Sequence, residues 1–126
     1  MWPPNLMSDQ AEVAVRETRF LKNVHVLLHT SDTCRGLVGM MAVCCKSGKD
    51  RTSLAVTLEE GRFLCENYSA VGGRSLCMVL RKHGVRRKNV YINTGQPYYA
   101  FNHLQQSMFP ACYRAPPGTY SASIKS

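Results

Sequence analysis

Residues 67–126 contain no aspartate and no glutamate. All eight acidic side chains precede that point, where eight lysines and arginines balance them, so the net charge of +8 resides in the second half. A surface of one sign attracts polyanions such as phosphoinositide membranes, nucleic acid or acidic proteins, but many plain solvated faces look the same. Charge alone therefore selects no partner. Long apolar runs are missing too: no stretch approaches the roughly 20 residues that span a bilayer. The start, Met1-Trp2-Pro3-Pro4-Asn5, lacks the basic region and apolar core of a secretory signal. These absences point to an intracellular chain. The six cysteines, at 34, 44, 45, 65, 77 and 112, include no Cys-x-x-Cys pair. Neither they nor the four histidines stand at zinc-finger spacing, so reduced thiols are expected, not disulfides or a metal site.

What remains is an ordinary globular balance, 44% hydrophobic and 19% charged over 126 residues. That length suits one small domain or a piece of a larger one. Residues 9–22 follow a helical stripe behind Ser8 or Asp9 as cap. Val24 to Leu28 is a β-branched and aliphatic run that predicts a strand, and Thr30 to Gly36 is turn-rich. Leu37 to Cys44 is nearly all apolar, the pattern of a strand buried on both faces of a parallel sheet. A helix from about Ser53 follows, with Leu54, Leu58, Gly61, Cys65 and Tyr68 on one side. Further helices fit Ser75–His83, stopped by Gly84, and Tyr98–Met108, ended by Pro110. One or two strands make no stable sheet, so the chain is expected to be the C-terminal part of a longer domain.

The chemistry concentrates in Cys45-Lys46-Ser47-Gly48-Lys49-Asp50-Arg51-Thr52, set between the apolar run and the helix. Backbone N–H groups of such a loop, with the helix N-terminus behind them, cradle an anion. It is not a nucleotide-binding loop, because Asp50 follows Gly48-Lys49 and Val43 stands where the first glycine belongs. The spacing that remains is Cys-x5-Arg. Cys45 would attack phosphorus as a thiolate, with its acidity raised by the loop amides and nearby cations. Arg51 would clasp two phosphate oxygens with its planar fork. The Thr52 hydroxyl would hydrogen-bond the sulfur, and Ser47, Gly48 and the loop lysines would line the pocket. Lys46 and Lys49 make it more positive than a single monoester requires, which suits a substrate with further phosphates. Asp50 is the nearest candidate for the acid that protonates the leaving oxygen, or else an acceptor for loop N–H groups; Asp32 and upstream residues are the other candidates.

The octet resembles the active-site signature of the inositol polyphosphate 4-phosphatases. The resemblance continues through Val56-Thr57-Leu58-Glu59, Gly84-Val85-Arg86-Arg87-Lys88-Asn89, Tyr99-Ala100-Phe101-Asn102-His103-Leu104-Gln105 and Phe109-Pro110. It ends at Tyr113-Arg114-Ala115-Pro116-Pro117-Gly118-Thr119-Tyr120, and so covers roughly residues 43–120. That family typically has alanine where Gly48 stands; glycine there matches the tensin-like lipid phosphatases. The resemblance implies hydrolysis of the 4-phosphate of phosphatidylinositol 3,4-bisphosphate without a metal or other cofactor. It also implies a phosphoinositide-containing membrane as partner, no nucleic acid, and a cytoplasmic location peripheral to endosomal or plasma membranes.

The expected fold class is thus α/β, the C-terminal part of a protein tyrosine phosphatase-like domain. Residues 24–44 would form its strand region, 45–52 the active-site loop, 53–110 a helical region and 111–126 a tail. The competing readings are a Cys-x5-Arg enzyme acting on phosphoproteins or soluble inositol phosphates, and an inactive fragment that binds anionic lipid or a partner.

Overall fold

Leu54, Leu58 and Gly61 recur at helical spacing, and all three are buried on one side of a 19-residue helix, Asp50–Tyr68. This helix is the spine of the fold. The structure is a computed structural model that describes residues 24–68 and 72–124. Within them the elements are α1 (Val24–Gly36), α2 (Asp50–Tyr68), α3 (Gly73–His83), α4 (Val85–Thr94), α5 (His103–Met108) and a 3-10 turn, Ala111–Tyr113.

α3 packs along α2 because Gly61 has no side chain. A Cβ there would lie 2.4 Å from Cys77 Sγ, well inside contact distance. Gly84 joins α3 to α4 for the same kind of reason: a Cβ would stand 2.2 Å from the Leu80 carbonyl oxygen. Leu54 on α2 meets Tyr99, Phe101 and Ala115 in the core. Phe109 packs edge-on against Phe101, with ring centroids 5.1 Å apart. α5 is capped by Asn102, whose side chain accepts from the Gln105 N–H while the Gln105 side chain accepts from the Asn102 N–H. This reciprocal cap satisfies two amides that the helix leaves unpaired.

Arg81 joins the layers. It is 2% exposed, and burial pushes its guanidinium down from the ordinary value. Four hydrogen bonds offset that burial: Nε donates to Thr57 Oγ1 at 3.0 Å, Nη1 to the Arg114 carbonyl at 3.0 Å, and Nη2 to the carbonyls of Leu54 at 2.8 Å and Cys112 at 2.7 Å. One side chain on α3 thereby ties the first turns of α2 to the segment after α5. Tyr99 Oη closes the arrangement by donating to the Arg81 carbonyl at 3.0 Å.

The expected α/β architecture is not what forms. Among the described residues there is no β-strand, only an isolated parallel bridge between Tyr99 and Tyr120. The run Val24–Leu28, expected as a strand, lies inside α1, and Thr30–Gly36, expected as a turn, completes that helix. Contacts made at a distance outweigh local preference here. Ser31 Oγ donates to Glu59, Arg35 pairs with Glu59 at 2.8 Å and also with Glu66, and Asp32 pairs with Arg62. Each of these pins the polar side of α1 to α2. Thr30 and Thr33 also turn their hydroxyls back onto helix carbonyls four residues earlier, at 2.7 and 2.8 Å.

Leu37–Cys44, expected as a buried strand, has no regular structure. Val38 and Met40 are 94% and 98% exposed, and Val38 turns the chain at a φ of 55° that β-branched residues rarely adopt. A strand needs a hydrogen-bonding neighbour, and the described residues supply none. The later expectations fare unevenly. α2 starts three residues before Ser53, α3 two residues before Ser75, and the helix expected over Tyr98–Met108 begins only at His103. α4 forms as a separate helix after Gly84. The helix expected at 9–22 lies outside the described residues.

Candidate active site

The chain leaves the irregular segment at Val43 and Cys44, turns through Cys45–Lys49, and enters α2 at Asp50. Gly48 makes the turn at a φ of 62°, where a side chain would cost energy. The Gly48 N–H closes onto the Cys45 carbonyl at 3.0 Å, and the Ser53 N–H onto the Lys49 carbonyl at 2.9 Å. The cradle is therefore continuous with the first turn of α2.

Cys45 is half-buried at the start of this turn. Burial pushes its thiol up, but four hydrogen bonds outweigh that effect. The Thr52 hydroxyl and the N–H groups of Thr52, Lys49 and Ser47 bring the thiol down from 9.0 to about 5. Thr52 is doubly engaged, since its Oγ1 also accepts from the Cys45 N–H at 2.9 Å. That second bond turns the hydroxyl proton toward the sulfur. Ser47 Oγ lies 3.8 Å from Cys45 Sγ on the open side. The neighbouring Cys44 Sγ donates to the Cys45 carbonyl at 3.2 Å.

Lys46, Ser47, Gly48, Lys49 and Arg51 are exposed. Arg51, on the first turn of α2, shares with Cys45 a cleft of about 300 Å³ bordered by Leu54, Phe109 and Tyr113. Burial pushes the Tyr113 hydroxyl up to about 12, so it stays protonated through the neutral range. Phe109 and Tyr113 are site residues that the loop motif does not signal, because 64 and 68 positions separate them from Cys45.

Asp50 sits on the inner side of the loop. Its Oδ1 accepts from Arg86 Nε at 2.6 Å, and the Arg86 and Asp50 side chains are 11% and 10% exposed. A carboxylate at the first position of a helix also suits the dipole. The pair locks the exit of the loop to α4. Asp32 is on α1, paired with Arg62. Arg86 stands 36 residues from its partner, and in the sequence only its membership of the Gly84–Asn89 block singles it out. Among the described residues, no group of three or more His, Cys, Asp or Glu side chains gathers as a metal would require.

Residues 7–113 match the family described as the INPP4A C-terminal domain. The chain belongs to the inositol polyphosphate 4-phosphatase family. The type II inositol 3,4-bisphosphate 4-phosphatase of Rattus norvegicus is 45% identical over 103 residues, 79% of this chain. The inositol polyphosphate 4-phosphatase type II of Homo sapiens is 44% identical over the same length. The chain spans about one-tenth of these family members, 11% of each. No solved structure matches it.

Proposed function

We infer that the chain carries the catalytic loop of a phosphoinositide phosphatase that hydrolyses the 4-phosphate of phosphatidylinositol 3,4-bisphosphate. The observation that carries this reading is the placement of Cys45 and Arg51 on one cleft at the start of α2, where hydrogen-bond donors of the loop bring the thiol down to about 5. The names of the curated relatives supply the substrate class. At neutral pH the sulfur is a thiolate, and its electron pair attacks phosphorus. The bond from phosphorus to the inositol oxygen breaks, and that oxygen leaves with the electrons. Arg51 and the loop amides neutralise the charge on the three outer oxygens. A water molecule then attacks the cysteinyl phosphate. The sulfur departs as a thiolate, stabilised by the same four donors, and inorganic phosphate is released.

The proton for the leaving oxygen is assigned to water entering the exposed loop. Asp50 Oδ1 is committed to Arg86 and Asp32 to Arg62, so Asp50 serves as the anchor of the loop. Lys46 and Lys49 of the loop are exposed, open to further phosphates of the substrate. The working location is cytoplasmic, at endosomal or plasma membranes containing phosphoinositides. No helix among the described residues is long and apolar enough to cross a membrane.

One observation favours a second reading. Phe109 and Tyr113 border the cleft that Cys45 and Arg51 share, and an aromatic wall suits an aryl phosphate such as phosphotyrosine. Phosphate release from phosphatidylinositol 3,4-bisphosphate and from a phosphotyrosine peptide separates the two. The lipid is expected to be the better substrate, and Cys45→Ser is expected to abolish turnover of both. Survival of activity in Cys45→Ser would refute the cysteine mechanism. Liposome binding without phosphate release by the wild-type chain would leave a binding fragment.

A further inference from the structure

The loop borders two clefts. Cys45 and Arg51 open on the aromatic one, whereas Lys49 and Ser53 line a separate cleft of about 450 Å³ facing α4. Thr52 lines both, so the two lie side by side across the first turn of α2. α4 contributes Arg86, Asn89 and Asn93 to the second cleft. Their spacing of three and four residues puts them on one helical face. Among the described residues no carboxylate lines this cleft, in contrast to the cleft between α1 and α2, which holds Glu59 and Glu60. Its polar lining is an ammonium, a guanidinium, two amides and two hydroxyls, a set matched to phosphate and sugar oxygens.

Arg86 supplies the second, independent sign. Its Nε is engaged with Asp50, but its Nη2 is buried and has no hydrogen-bond partner among the described residues. An acceptor from outside the described residues would satisfy that buried guanidinium nitrogen. Phosphates on adjacent carbons of an inositol ring require two anion sites next to each other, and the two clefts have that relation.

We propose that the cleft between the loop and α4 is a specificity subsite that binds the second phosphate of a polyphosphorylated inositol through Lys49, Arg86, Asn89 and Asn93. The phosphate to be removed then sits over Cys45, and the ring bridges the Thr52 turn. The amide carbonyls of Asn89 and Asn93 accept from ring hydroxyls while their NH₂ groups donate to phosphate oxygens. This subsite rests on the reading of the loop as a phosphatase site.

Asn89 and Asn93 are exposed, so replacing both by alanine leaves the core intact. The first experiment compares kcat/KM of the full chain and of its Asn89→Ala/Asn93→Ala variant on vesicles of phosphatidylinositol 3,4-bisphosphate and of phosphatidylinositol 4-phosphate. The bisphosphate is expected to lose at least about ten-fold more than the monophosphate, equivalent to about 1.4 kcal/mol of selective binding. Equal losses, or none, overturn the proposal. The second measures binding of soluble inositol 3,4-bisphosphate to Cys45→Ser by calorimetry, with and without the two alanines. Binding is expected to weaken about ten-fold or more; unchanged affinity overturns the subsite even if the chain proves catalytically silent. Silence of the wild type on every phosphate, with the binding difference intact, would refute the phosphatase reading and leave the subsite standing.

Discussion

Replacing Thr52 by valine removes the hydroxyl that bonds Cys45 Sγ and leaves the three N–H donors of Ser47, Lys49 and Thr52 in place. The thiol lies at about 5 in place of 9.0, so at pH 7 it is about 99% thiolate, where an ordinary thiol would be about 1%. The Thr52 hydroxyl is foremost among the groups that lower it, so the titration midpoint of Thr52→Val must move up from about 5 and stay below 9.0. The assay is the rate of iodoacetamide alkylation at Cys45 against pH, read on the Cys45 peptide by mass spectrometry because five other thiols are present. Wild-type rates should level off above about pH 6, since one unit beyond the midpoint leaves about a tenth of the thiol protonated. Thr52→Ser keeps both the donor to sulfur and the acceptor for the Cys45 N–H, and it should titrate like the wild type. A wild-type midpoint near 9, or coincident curves for wild type and Thr52→Val, would refute the reasoning. So would a serine variant displaced as far as the valine one, because the shift would then report loop distortion.

Four further outcomes follow from the same geometry. Cys45 holds its proton more weakly when folded, so its contribution to stability should grow as pH rises from about 5 to 9 and vanish below that window; urea midpoints of wild type and Cys45→Ser should diverge across it. Arg86→Gln removes the guanidinium partner of the buried Asp50 carboxylate and should cost about 3 kcal/mol, with the double variant Asp50→Asn/Arg86→Gln costing less than the sum of the singles. Arg81→Met strips four hydrogen bonds from Thr57 and three carbonyls. Urea unfolding should register a loss of about 3 kcal/mol or more. Gly61→Ala drives a methyl toward Cys77 Sγ and should cost about 1–3 kcal/mol, partly restored in a calorimetric melt by Cys77→Ala.

The helices after the loop were legible because their signals are local. Leu54, Leu58 and Gly61 mark the buried side of α2, and Arg81 to His83 followed by Gly84 mark the end of α3. The first part of the chain misled for a physical reason. Val24 to Leu28 has strand-like composition, but its fate depends on Ser31, Asp32 and Arg35 reaching Glu59, Arg62 and Glu66 some 24 to 31 residues away. Leu37 to Cys44 has the composition of a buried strand, yet composition cannot supply the neighbour a strand must pair with. Arg81 lies in the last turn of the helix expected over Ser75–His83, and only the packed structure turns it inward as the link between α2 and the segment after α5.

By itself the sequence determined the identity and spacing of the segment from Cys45 to Thr52, because a tight turn running into the first turn of a helix is built from local hydrogen bonds. It also determined the family, through blocks spread from residue 56 to residue 120. Tertiary structure alone decided the role of the charges around that loop. Asp50, the nearest acid in sequence, turns inward to Arg86, and the donor-rich cleft takes one wall from the loop and the other from α4. Those arrangements depend on which helix faces meet, and no spacing along the chain encodes that before the core assembles.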